Sequence, residues 1–216
     1  MGSVDLTFAA DLRDRLQLAR AVETGTFRGV TARGLAGVFP AVITIELSEE
    51  LYRTATRSLA DLPHVTPVQG HSVERLREVQ DASVPTLYFL DGHWSGGMTD
   101  GVDDQCPVME ELATIGESHP SDCFIIDDAR LFTSAPPPPH NVEQWPTILE
   151  VFDLIRARHP EHYVTILDDQ VIAVPPAGKP AVDAYGLRLA PKVTLASHAV
   201  GAKNWVAQKV QLARNR

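Results

Sequence analysis

Short apolar runs alternate with amphipathic stretches along most of the chain, and that alternation limits the fold more than any single residue does. The runs are Ala21 to Glu23, Val42 to Leu47, Val65 to Gln69, Thr86 to Asp91, Cys123 to Asp127, Tyr163 to Leu167 and Val171 to Val174. Before and between them, helical spacing is expected within Asp5 to Ala19 and over Gly29 to Val38, Glu49 to Ala60, Ser72 to Asp81, Pro107 to Glu117 and Val142 to His159. Val42, Ile43, Ile45 and Phe124, Ile125, Ile126 are continuous apolar segments of the kind that strands buried on both faces require. Strand and helix in alternation predict a mostly parallel sheet covered by helices on both sides. Only Asp168, Asp169 and Gln170 separate the last two runs, too few residues for a crossover helix, so those runs should form an antiparallel hairpin.

With 216 residues and 44% hydrophobic content, the chain can bury the core of one three-layer domain. We place that domain at 1–176 and a C-terminal extension at 177–216. The extension carries Val206, Val210 and Ala213 at helical spacing and either packs on the domain, pairs two copies as a homodimer, or is disordered. Pro136 to Pro139, inside Ser134 to His140, cannot continue a helix or an inner strand, and form either a stiff lid or a spacer.

The formal net charge of −9 argues against a nucleic-acid partner and against an anionic membrane surface. No apolar run approaches the roughly 20 residues that span a bilayer, and Met1 to Ala10 lacks a basic-then-apolar export pattern. Cys106 and Cys123 have neither metal-ligand nor redox spacing, so a reducing cytoplasm is expected.

In an open α/β sheet, ligands sit beyond the carboxyl ends of the strands, where helix N-termini point into the crevice. At the first strand end, Glu23-Thr24-Gly25-Thr26-Phe27-Arg28-Gly29 offers a turn in which Gly25 lets the backbone approach a ligand and Gly29 opens a helix. Glu46 ends the second strand about twenty residues later, where a carboxylate can accept hydrogen bonds from both hydroxyls of a ribose. At the third end, His71 and Ser72 either meet an adenine edge or, for Ser72, cap the next helix. The fourth and fifth ends carry Asp91-Gly92-His93-Trp94 and Asp127-Asp128. Three carboxylates in one crevice repel each other unless they share a cation, so a divalent metal on Asp91, Asp127 and Asp128 is expected, with magnesium favoured by all-oxygen ligands. His93 is the expected general base. Trp94 with Gly96, Gly97 and Gly101 forms a loop that either closes over a substrate or merely connects elements.

Taken together, these strand ends resemble the class I S-adenosylmethionine-dependent methyltransferases over about Val22 to Pro175. The Glu23 to Gly29 segment is similar to the acidic glycine motif of the small-molecule O-methyltransferases, and Glu46 to their ribose-binding acid. Asp91-Gly92-His93 with Ile125-Ile126-Asp127-Asp128 resembles the metal-binding acids of the macrocin-type sugar O-methyltransferases. His71 stands where that family often has aspartate, and Gly92 to Gly97 departs from the macrocin loop. The resemblance implies a seven-stranded Rossmann-like sheet with a terminal antiparallel hairpin. It also implies an S-adenosylmethionine site built from Glu23, Gly25, Thr26, Phe27, Gly29, Glu46, His71, Ser72 and Asp91. The expected activity is metal-assisted O-methylation of a small hydroxylated acceptor, a sugar or natural product, with Asp91 and His93 catalytic. The alternatives are a metal-dependent nucleotide-sugar transferase and a non-catalytic cofactor-binding module. A nicotinamide enzyme is disfavoured, since the three-glycine fingerprint is missing.

Overall fold

The structure, a computed structural model, describes residues 4–94, 96, 101–116 and 118–190. The chain divides into two compact units, Met1–Tyr185 and Gly186–Arg216. Of the second, only 186–190 are described, and the expected helix around Val206, Val210 and Ala213 lies outside the described residues.

The first unit opens with helix α1, Leu6–Leu16, whose N-terminus is capped by the Asp5 carboxylate accepting from the Phe8 amide at 2.6 Å. Strands β1 (Arg20–Thr24), β2 (Val42–Glu46), β3 (Val65–Gln69), β4 (Thr86–Leu90) and β5 (Cys123–Ile126) then alternate with helices α2 (Val30–Ala36), α3 (Glu49–Ser58), α4 (Ser72–Val79) and α5 (Val108–Thr114). After β5 come the short α6 (Arg130–Thr133), then α7 (Ile148–Arg158), β6 (Tyr163–Leu167), β7 (Gln170–Val174) and α8 (Lys179–Leu189).

The seven strands line up as β3-β2-β1-β4-β5-β7-β6. All pairs among β1 to β5 are parallel, and β7 runs antiparallel to both β5 and β6. This is the seven-stranded class I methyltransferase fold expected from the sequence. Leu167 pairs with Gln170, and the two residues between them, Asp168 and Asp169, have φ of 50° and 62°. Positive φ at both central positions is the requirement of a tight hairpin turn whose twist matches the strands, and aspartate is among the few side chains that tolerate it.

Successive strand residues point to opposite faces, and here both faces are apolar. Leu87, Phe89, Cys123, Ile125, Ile172 and Val174 pack on one side with Phe8 and Leu12 of α1, Ala32 and Leu35 of α2 and Ala55 of α3. Tyr88, Leu90, Phe124, Ile126, Val171 and Ala173 pack on the other with Leu76 of α4, Leu112 of α5 and Val151 and Ile155 of α7. This two-sided burial is why these strands read as unbroken apolar runs.

Two expectations change in the structure. The predicted helix over Val142 to His159 is broken: Val142–Gln144 form a 3-10 turn, Trp145 is extended, and α7 begins only after Thr147. Pro146 is the reason, because its ring forces the preceding residue out of the helical region. Thr147 and Glu150 then cap α7 reciprocally. The other difference concerns the end of the domain. The first compact unit reaches Tyr185, past the boundary at 176, because Ala181, Val182 and Tyr185 of α8 are buried in the α1 face of the core.

The Tyr185 ring stacks on Phe8 at 4.6 Å, and its hydroxyl donates to Asp168 Oδ2 at 2.8 Å, tying α8 to α1 and to the hairpin turn. Tyr185→Ala is expected to destabilise the fold by about 3–5 kcal/mol, and Tyr185→Phe by about 1 kcal/mol. Urea melts of both variants check this; equal small losses would mean that α8 contributes little to the core.

Candidate functional site

The strand order reverses at β1, with β2 on one side and β4 on the other, so the crevice of this fold opens at the carboxyl ends of those strands. Thr24 and Asp91 close it from below: the Asp91 amide donates to the Thr24 carbonyl at 3.2 Å. Gly25 follows with φ of 81°, and a Cβ built there would lie 2.1 Å from the Asp91 carbonyl oxygen. The β1 turn and the β4 end therefore interlock backbone to backbone, which only glycine permits. On the β4 side, a Cβ on Gly92 would come within 2.9 Å of Glu111 Oε1 and 3.1 Å of Thr24 Oγ1.

Glu46 holds the turn in shape. Its Oε2 accepts from the Phe27 amide at 2.7 Å and its Oε1 from the Ser48 amide at 2.9 Å. Each carboxylate oxygen has two lone pairs and can accept more than one hydrogen bond. Gly29, with φ of 77°, starts α2. Glu23 lies in β1 and Thr26 in the turn that follows it. Both are buried, Thr44 Oγ1 donates to Glu23, and the Thr26 and Thr44 hydroxyls are 2.6 Å apart. Burial, partly offset by that hydroxyl, pushes the Glu23 carboxyl up to about 8.

At the β3 end, His71 rather than Ser72 is the N-cap of α4, and its side chain makes no capping bond. His71 Nε2 instead meets Asp104 Oδ2 at 3.0 Å, linking the loop after β3 to the loop after β4. Ser72 is the first helical residue and is buried, so its expected capping role is corrected.

The β4 and β5 ends bring Asp91, His93, Asp127 and Asp128 together. His93 Nε2 lies 2.7 Å from Asp128 Oδ2, and its Nδ1 lies 3.7 Å from Asp91 Oδ1. Burial would raise the Asp128 carboxyl, but the His93 and Arg130 partners outweigh it and hold it down at about 2. An ionised Asp128 only accepts, so Nε2 carries the imidazole proton and Nδ1 is left facing Asp91. Burial opposes charge on His93, yet Asp128 and Asp91 together raise its pKa above the ordinary 6.5. Asp91 is itself pushed up to about 8, by burial first and by the neighbouring acids next. Asp127 is buried and shifted upward for the same reasons, and it accepts from Gln170 Nε2 at 3.3 Å.

The expected metal set does not assemble. Among the described residues, no group of three or more acids, histidines or cysteines is arranged to hold an ion. Asp128 spends one oxygen on His93 and the other on Arg130 Nη1, and that same guanidinium nitrogen bonds Asp169 Oδ2. The repulsion among the acids is real, but it is relieved by protein cations and by burial-raised pKa values.

Two contributors escaped the sequence reading. Glu111 of α5 is buried next to Thr24, Ser72 and Gly92, and desolvation raises its pKa despite hydrogen bonds from Ser72 and Thr24. Its signal was present: Val108, Glu111, Leu112 and Ile115 share one helical face, so the acid sits on an apolar stripe. Gln105 is the other. Its Oε1 accepts from the Asn141 amide at 2.8 Å and from Trp145 Nε1 at 3.3 Å, while its carbonyl accepts from the Trp94 amide at 2.8 Å. It thereby fastens the segment after the proline run to the Trp94 loop. Trp94 meets His140 edge-on at 5.4 Å, and His140 and His93 meet Trp145 at 5.1 and 5.6 Å, giving an aromatic wall beside His93. Ser95 and Gly97 of the loop lie outside the described residues. Cys106 is buried and its thiol is pushed up to about 12 by burial, which keeps it unreactive.

Glu23 supplies a pH test. Its folded pKa of about 8 exceeds the ordinary 4.5, so between those values the folded state holds a proton that the unfolded chain releases. Its contribution to stability therefore falls as pH rises from about 4.5 to 8. Glu23→Gln is expected to gain stability over the wild type progressively across that window in urea melts. Parallel profiles would overturn the assignment.

No protein-family model matches the chain, and no curated protein matches it. Solved structures do. A Staphylococcus aureus protein assigned as a caffeoyl-CoA O-methyltransferase superposes with a TM-score of 0.58 at 19% identity, covering 81% of this chain and 85% of its own. An O-methyltransferase from Bacillus cereus, solved with S-adenosylhomocysteine, gives 0.56 at 22% identity, covering 80% and 82%. The tomaymycin-pathway O-methyltransferase TomG from Streptomyces achromogenes, solved with S-adenosylmethionine, gives 0.53 at 18%, covering 81% and 82%. At these identities the likeness is one of fold.

Proposed function

We propose that this chain is an S-adenosylmethionine-dependent O-methyltransferase acting on a small hydroxylated acceptor, a sugar or natural product, with His93 as its general base. One juxtaposition carries the reading. At the strand-order switch, the Gly25 turn braced by Glu46 lies beside a His93 whose orientation is set by Asp128. The donor set suits the cofactor. Glu46 offers carboxylate oxygens to a ribose diol, Asp91 offers a half-buried carboxyl to an ammonium, and Gly25 keeps the turn free of a side chain.

Bound S-adenosylmethionine supplies an electrophilic methyl group on a sulfonium. His93 Nδ1 would accept the hydroxyl proton as the acceptor oxygen takes the methyl carbon and the carbon–sulfur bond breaks to leave S-adenosylhomocysteine, and Asp128 would stabilise the resulting imidazolium through Nε2–H. Because transfer from a sulfonium neutralises charge, alignment and deprotonation matter more here than an oxyanion pocket. Trp145 and Trp94, with His140, would flank the acceptor on the His93 side. A net charge of −9 favours a small acceptor over nucleic acid. No described helix is long and apolar enough to cross a membrane.

Calorimetric titration with S-adenosylhomocysteine tests the cofactor assignment: saturable binding in the wild type, weakened at least about tenfold in Glu46→Ala, is expected. A folded wild type that does not bind would remove the proposal. Binding without methyl transfer to any hydroxylated acceptor would leave a cofactor-binding module instead.

The base has its own test. A raised His93 pKa keeps the base protonated at low pH, so kcat/KM should rise with pH through an apparent value above 6.5. Asp128→Asn should lower both the plateau and that apparent pKa. An unchanged profile would remove His93 from the role.

A further inference from the structure

The acid cluster at the β4 and β5 ends already contains a cation. Arg130, the first residue of α6, is held on its main chain as well as its side chain: its amide donates to Asp169 Oδ1 at 2.8 Å, and the Ala129 amide donates to the Asp169 carbonyl at 2.7 Å. Its guanidinium joins Asp128 to Asp169. Asp169 is itself fixed, because it occupies the second left-handed position of the two-residue β6–β7 turn, whose first residue, Asp168, is held by Tyr185. A lone exposed ion pair contributes little, and the Arg130 side chain is 58% exposed. Here, however, two carboxylates from separate elements converge on one nitrogen, and backbone bonds hold the Arg130 and Asp169 main chains side by side.

We infer that Arg130, clamped by Asp169, is the resident cation of this site, and that it keeps a divalent metal off Asp128. A hard cation such as magnesium or calcium needs several oxygens that are free to converge on it. An ion entering between Asp127 and Asp128 would have to compete with Arg130 and His93 for the Asp128 oxygens, and it would sit beside the guanidinium charge. The consequence for chemistry is a narrower demand on the acceptor. With no ion to be chelated, one hydroxyl within reach of His93 suffices, and a vicinal pair of oxygens is not needed. The inference deepens the methyltransferase reading, but it is read out by ion binding rather than by turnover.

Terbium(III), an oxygen-seeking ion whose emission is sensitised by a nearby indole, is a direct probe, since the Trp145 ring lies 5.6 Å from His93. The full chain is stripped with chelator and titrated as wild type, Arg130→Ala, Asp169→Asn, and Arg130→Ala combined with Asp128→Asn. The expected result is no saturable emission from the wild type at submillimolar ion. Arg130→Ala and Asp169→Asn should gain a saturable site at least about tenfold tighter, which the double variant loses again. Weak binding to scattered surface acids would be equal in all four proteins, so it would count as the expected wild-type background. Saturable wild-type emission that the double variant lacks would overturn the inference, as would a normally folded Arg130→Ala that gains no site. If Arg130→Ala does not fold, the wild-type and Asp169→Asn titrations still decide. Calorimetry with S-adenosylhomocysteine on the same samples keeps the two ideas apart: failure to bind it would sink the methyltransferase reading while leaving the ion-binding result to stand by itself.

Discussion

The contact on which the site depends is the approach of Gly25 to the carbonyl of Asp91, so close that a Cβ would stand 2.1 Å from the oxygen. Because β1 and β4 are parallel neighbours where strand order reverses, their ends must diverge into loops that leave in different directions. The missing side chain lets those loops start in contact. Everything downstream takes its position from this point: Glu46 reaches across to the Phe27 amide, Asp91 is set over Thr24, and His93 is delivered to the end of β5.

Charge is the second organising constraint. Glu23, Asp91, Glu111 and Asp127 are crowded and poorly solvated, and the structure manages them in two ways. Desolvation moves all four upward in pKa, and Glu23 and Asp91, at about 8, hold a proton near neutrality. Asp128, with more access to cations, goes the opposite way and becomes the anion to which His93 and Arg130 attach. A cationic cofactor fits such an environment, since a positive charge entering the crevice favours ionisation of the raised acids and gains their attraction.

Much of this was legible in the sequence because it rests on local rules. Period-two burial on both faces makes β4 and β5 continuous apolar runs, and the spacing of Asp168 and Asp169 between two such runs leaves only a hairpin. Gly25, Glu46, Asp91 and His93 stand out because each lies at or just past the end of a strand. Elsewhere a second influence intervenes. Pro146 cuts a helical pattern that otherwise runs on, and the buried Ala181, Val182 and Tyr185 of α8 meet partners more than a hundred residues away in α1, which no local spacing reveals.

The sequence by itself determined the layer architecture, the hairpin at the sheet edge and the identity of the strand-end acids, since hydrophobic period and turn chemistry act over a few residues. Only the tertiary structure decided what those acids do. Asp169 comes from one hairpin, Arg130 from the start of α6, Asp128 from the end of β5 and His93 from the end of β4, and no spacing along the chain tells that they meet. Three nearby aspartates imply a cation by electrostatics alone; whether that cation is an ion or a side chain depends on what β7, lying between β5 and β6, brings alongside.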